Sequence, residues 1–158
     1  MTITPEELER RLNKAISEVK KRLPDVVDTL ALDQRQLFRN RVTQKGLNVD
    51  STGNEVEFPS YSDSYKKSKL FKKYKEDSTP NRLLLTGKML ENYDIIKRAL
   101  VNGIYVVTLG GTNQDAKDKL EWNENRYGDI LKPSNDEKDL MNKVFGEEII
   151  NIVIETIG

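Results

Sequence analysis

YDIIKRALVNGIYVVTLGG, residues 93 to 111, decides how this chain is read. Asn102-Gly103 stands between two runs, 95–101 and 104–109, that are rich in apolar and β-branched side chains. A two-residue type I′ turn needs positive φ at both central positions, and Asn followed by Gly supplies it at least steric cost. The stretch therefore predicts a β-hairpin with Asn102 and Gly103 as its structural turn. Gly110-Gly111 stops the second strand.

Helical signals lie on both sides of the hairpin. Thr4-Pro5-Glu6-Glu7 reads as a helix start, with Thr4 as N-cap, Pro5 in the first turn and Glu7 closing a capping box. Leu8, Leu12, Ile16, Val19 and Leu23 then recur on one face. Pro24 is expected to end or kink this helix, and a second one is predicted over about 25–45 with Gly46 as its C-terminal cap. Beyond the hairpin, a polar helix is predicted over about 114–125, anchored by Ala116, Leu120 and Trp122. Ser134 and Glu137 form a second capping box for a last helix over about 135–156, with Leu140, Val144, Phe145, Ile149, Ile152 and Val153 inward. Gly146 interrupts that helix at a cost of about 1 kcal/mol relative to alanine, so it marks a close crossing or a kink. The pattern predicts a single α+β domain. It has long N-terminal helices, a small antiparallel sheet with a central hairpin, and a C-terminal helix packed on the sheet.

Composition narrows the chemistry. The 158 residues include no cysteine and no histidine. That removes disulfides, thiolate metal sites, the commonest general base and the commonest transition-metal ligand. The acidic residues single out no catalytic pair, so the expectation is a protein that is not an enzyme, with no cofactor and no metal. The 26 basic and 26 acidic side chains cancel, leaving no net field toward nucleic acid or anionic lipid. They are unevenly placed: residues 1–113 carry 20 basic against 15 acidic groups, and 114–158 carry 6 against 11. A head-to-tail subunit contact or packing within the chain uses such asymmetry equally well. The start has no apolar signal core, and no run approaches membrane-spanning length, so a soluble protein made in a cytoplasm is expected.

Residues 46–64 have loop composition, rich in Gly, Ser, Asn and Asp. The following stretch interleaves Lys66, Lys67, Lys69, Lys72, Lys73 and Lys75 with Tyr65, Phe71 and Tyr74. Such a segment stacks on bases and tracks phosphates, or else forms a short helix with a solvated lysine face or lies as an arm on a neighbouring subunit. Segment 46–80 as a whole is expected to be an extended loop or arm, with Phe58, Tyr61, Tyr65, Phe71 and Tyr74 as anchors. Gly87-Lys88 invites comparison with a phosphate loop, but Arg82 occupies the position of the required glycine and Met89 that of the magnesium-binding hydroxyl. Thr86-Gly87 is read instead as a structural turn leading from 83–85 toward the hairpin.

The order of these pieces resembles the virion-morphogenesis proteins of tailed bacteriophages, which include neck, tail-completion and head-tail joining proteins. The resemblance covers roughly residues 33–157. It rests on "LFRNRVTQKG", on "FPSYSDSYKKSK" with Phe58 where tryptophan is more usual, on "LLLTGKMLENY", on the hairpin, and on "GDILKPSNDEKDLMNKVF". The chain departs from the family after the hairpin, where a charged helix around Trp122 replaces a small aromatic and histidine-containing segment.

The resemblance implies a structural virion protein, a homo-oligomeric ring of six or twelve copies assembled in the bacterial host cytoplasm. Its partners would be portal, head-closure or tail proteins, with passing contact to packaged DNA and none to a membrane. Phe58, Tyr61, Tyr65, Lys66, Lys67, Lys69, Phe71, Lys72, Lys73, Tyr74 and Trp122 are then the candidate subunit or partner contacts. The alternative is a nucleic-acid-binding adaptor using residues 66–75.

Overall fold

The computed structural model describes residues 3–74 and 88–158. Helix α1 runs from Pro5–Asn40, about 54 Å at 1.5 Å per residue. Thr4 Oγ1 accepts the Glu7 amide at 3.3 Å, and Pro5 opens the first turn, as the sequence indicates. Arg10 and Arg11 hydrogen-bond the Glu7 carboxylate and hold its pKa down to about 2.

Two separate N-terminal helices are not found, because α1 passes through Pro24 without ending. Proline removes one backbone donor inside the helix, at a cost of about 3 kcal/mol. Leu23, Val26, Val27 and Leu30 are half-buried around it, and packing at this level holds the flanking turns in register. After Asn40 the ladder widens to a π-turn over Arg41–Lys45, closed by Gly46 at φ 67°. This turn carries both Arg41 and Val42 into the interior.

Residues 46–58 are not a loose loop. β1 (Leu47–Val49) pairs antiparallel with β2 (Glu55–Glu57), in the register Leu47 to Glu57 and Val49 to Glu55. Between them Asp50 Oδ1 accepts from the Thr52 hydroxyl and amide and from the Asn54 amide at 2.7–3.0 Å, which keeps its pKa low. Gly53 takes φ 93°, and its carbonyl accepts the Asn135 amide at 2.8 Å. Each strand has only three residues and contributes one buried apolar side chain at most, so alternation was too short to reveal it.

Beyond Phe58 come two short helices, α2 (Asp63–Lys66) and α3 (Lys69–Tyr74). The expected turn at Thr86-Gly87, the run 83–85 and Lys75 lie outside the described residues. The chain is described again from α4 (Lys88–Glu91), which enters β3 (Tyr93–Val101) and β4 (Ile104–Gly111). The hairpin is as predicted: Val101 pairs with Ile104, and Asn102 and Gly103 take φ 50° and 78°. A bulge between Ile95 and Lys97 shifts the register.

Helix α5 (Gln114–Tyr127) starts on Asn113, whose Oδ1 accepts the Ala116 amide at 2.8 Å. Its buried face is Ala116, Leu120 and Asn123. Trp122 is not an anchor, being one residue off that face and 57% exposed. Helix α6 (Asn135–Ile157) begins with the complete Ser134/Glu137 capping box.

The main core gathers where the end of α1 meets the two hairpins, α4 and α5. Phe38, Val42, Phe58, Met89, Leu90, Tyr93, Leu120 and Ile130 fill it. The C-terminal helix does not lie chiefly on a sheet. It runs antiparallel along α1, and α1 in turn meets β3 and β4, so α1 is the spine that carries the other elements.

Candidate interaction surfaces

One buried polar centre holds the layers together. Arg41 is almost wholly buried, and its Nε donates to Glu137 Oε1 at 2.9 Å. Its Nη2 donates to the Ile130 and Lys132 carbonyls at 3.1 and 3.0 Å, and its Nη1 to Leu47 O at 3.4 Å. Glu137 Oε2 accepts the Ser134 amide and Gln34. A charge pair in a low-dielectric interior is tolerable only when its remaining donors and acceptors are met, and here they are. The centre ties the π-turn, β1, the 130–132 segment and the start of α6. Sequence reasoning found the capping box but missed Arg41; a basic residue within the apolar run Phe38, Val42 was the available signal.

Three outward-facing features remain. The first is the aromatic-lysine segment. Tyr61, Tyr65 and Phe71 pack ring against ring with centroids 5.2–5.6 Å apart. Lys67, Lys69, Lys72 and Lys73 are exposed around them, and Lys66 is half-buried. The rings engage one another instead of standing apart as stacking platforms. Tyr74 belongs to α3 by its backbone. Phe58 is no partner contact: it is buried, edge-on to Tyr127 at 5.3 Å. The arm expected over 46–80 thus loses its first thirteen residues to the fold. Trp122 remains exposed, with the Arg126 guanidinium 5.2 Å from its ring centre.

The second feature is the hairpin tip. Leu100 is 73% and Ile104 66% exposed, with Val101 and Val106 exposed beside them and Ile96 exposed nearer the base. The hairpin is tied to α1 at its base by Arg35–Asp94 at 2.6 Å, and toward its tip by Arg98–Asp28 at 2.6 Å and the Tyr105 hydroxyl on Asp28 at 3.1 Å. The apolar tip is therefore held in a fixed position.

The third feature is the pair formed by the first half of α1 and the second half of α6. Here only Ala15 and Ile152 are buried. The predicted stripe exists, but Leu8, Leu12 and Ile16 stand exposed, as do Ile150 and Ile154 and, in the first half of α6, Leu140 and Phe145. Leu12, Ala15, Ile16, Val19, Lys20 and Val153 line an open groove of about 270 Å³ between the helices. Arg11 on the Ile157 carbonyl at 2.8 Å and Arg22 on Glu155 at 2.7 Å clamp the two helices from their polar sides.

Among the described residues no group of three acidic side chains is placed to hold a metal ion, and no helix is long and apolar enough to cross a membrane. No protein-family model, curated protein or solved structure matches the chain.

Proposed function

We propose that this chain is a structural subunit of a tailed-bacteriophage virion, a ring-forming neck, tail-completion or head-tail joining protein. The observation that supports the reading is the amount of apolar surface held rigidly outward at separate places. The hairpin tip and the two-helix face each expose several large aliphatic side chains, whereas a self-sufficient monomer rarely leaves such patches uncovered. A ring subunit needs unlike surfaces for its two neighbours, because each contact in a closed ring is heterologous. The ordered set of sequence pieces adds the virion context.

In this reading the protein works by positioning. The Arg41–Glu137 centre and the α1 spine hold the surfaces at fixed separations, and the neighbours are the portal, head-closure or tail components. A nonsense mutation in the corresponding gene of a phage is expected to leave filled heads and separate tails that do not join, or tails that fail to complete. Normal infectious particles lacking the chain would refute the proposal.

The nucleic-acid alternative has weaker support, since Tyr61, Tyr65 and Phe71 are packed against one another. Titration of duplex and single-stranded DNA at two ionic strengths separates the two, because phosphate-driven binding falls steeply with salt.

A further inference from the structure

We infer that β4 is an open pairing edge, on which a second copy of this chain adds its own β4 antiparallel to make a four-stranded sheet about a two-fold axis. The inference goes beyond the virion reading and does not depend on it, since an isologous contact closes a pair and not a ring.

Among the described residues β3 and β4 form a sheet of two strands, so each has one edge without a ladder partner. In a two-residue hairpin the residues flanking the turn exchange both backbone hydrogen bonds, and the pattern alternates from there. Val101 and Ile104 flank the turn. Ile104, Val106 and Thr108 therefore aim their amides and carbonyls at β3, while those of Tyr105 and Val107 point outward. No described residue hydrogen-bonds these outward backbone groups.

The two edges are not alike. Folded proteins blunt a free edge with charged side chains and bulges. β3 has both, in Asp94, Lys97 and Arg98 and in the bulge between Ile95 and Lys97. β4 has neither: from Ile104 to Leu109 it is uncharged, free of proline and without a bulge. It is the edge left competent to pair, and two copies of it oppose no like charges.

The helix beneath the hairpin selects a second copy as the occupant. Asp28 reaches Arg98 of β3 and Tyr105 of β4, and Arg35 reaches Asp94, so α1 runs under both strands from tip to base. Leu32 stands four residues after Asp28 and three before Arg35, on the same helix face, yet it is 42% exposed. It lies about 6 Å along α1 from Asp28, and Val107 lies about 7 Å along β4 from Tyr105. Leu32 and Val107 are thus level. A two-fold axis at Val107 sets the two hairpins two strand spacings apart, about 10 Å, which is the distance at which helices pack. The two α1 helices then meet antiparallel, and Leu32 of each copy covers that of the other.

The test uses the full-length protein. Sedimentation is expected to give twice the 18.2 kDa chain mass. Amide hydrogen exchange read by NMR should find Tyr105 and Val107 protected where the dimer forms and exchanging freely on dilution. Val106, bonded within the hairpin, should stay protected in both. Val106 is also 38% exposed on the outer face, so it accepts a charge. Val106→Lys alone and Val106→Glu alone should each raise the dissociation constant by at least about tenfold while retaining the circular dichroism spectrum of the parent, and an equimolar mixture should restore pairing. Because the chain has no cysteine, Leu32→Cys under oxidising conditions should crosslink to its own kind without background.

A monomer at all concentrations overturns the inference. So does a dimer in which the Tyr105 and Val107 amides exchange as freely as in the monomer, because its contact then lies on another surface. Should a charged variant fail to fold, exchange on the parent protein decides. Failure of Leu32→Cys to crosslink in a dimer that protects those amides would overturn the two-fold arrangement. Rings whose β4 amides exchange freely would leave the virion reading standing and refute this one.

Discussion

Replacing Arg41 by methionine keeps the aliphatic stem and removes the guanidinium, so it isolates the buried charge centre. The variant loses the bond to Glu137 at 2.9 Å and those to the carbonyls of Ile130, Lys132 and Leu47. Glu137, 5% exposed, is then left buried without its cationic partner, with only the Ser134 amide and Gln34 as donors. Breaking one side of a buried pair costs about 3–5 kcal/mol. For a chain of this size each kcal/mol shifts the melting temperature by about 2–4 °C, so a fall of about 6–20 °C is expected. Urea and thermal melts followed by circular dichroism measure it. Arg41→Met with Glu137→Gln should lose less than Arg41→Met alone, because the amide keeps the capping contact without leaving a buried charge. A loss below about 1 kcal/mol for the single variant would refute the claim that this pair organises the layers.

Gly103→Val places a β-branched residue at φ 78° and should destabilise by more than about 1 kcal/mol in the same melts; since nothing lies within 4 Å of the added carbon, crowding cannot be the cause. Tyr93 has its phenol pKa pushed up to about 12 by burial. Its folded value lies above the unfolded value of about 10, so its contribution is full below pH 10 and is lost as pH rises toward 12. Tyr93→Phe should flatten that alkaline loss in pH-dependent melts. Phe58→Ala should cost about 3–5 kcal/mol, as expected for a filled core position; a neutral effect would return residues 46–58 to the status of a dispensable arm.

What the sequence revealed depended on how local the cause was. Asn102-Gly103 and the Ser134/Glu137 box act over four residues or fewer, and both stand where they were read. Thr4 caps its helix for the same local reason. Pro24 was misleading because its cost is local while the packing that offsets it comes from elements distant in sequence, α1 being covered by α6 and by β3 and β4. The β1–β2 hairpin escaped notice since three-residue strands carry almost no period, and Phe58 was read as an arm anchor before that hairpin delivered it to the core. The apolar stripes of α1 and α6 were legible as stripes. Their being uncovered was not, because a stripe facing a partner chain and one facing a core have the same spacing.

The most direct test of the proposed role is to locate the chain in purified tailed particles with an antibody raised against it, followed by electron microscopy. Gold label confined to the head-tail junction or to one end of the tail is the predicted result. Particles that carry the chain nowhere along the neck or tail would contradict it.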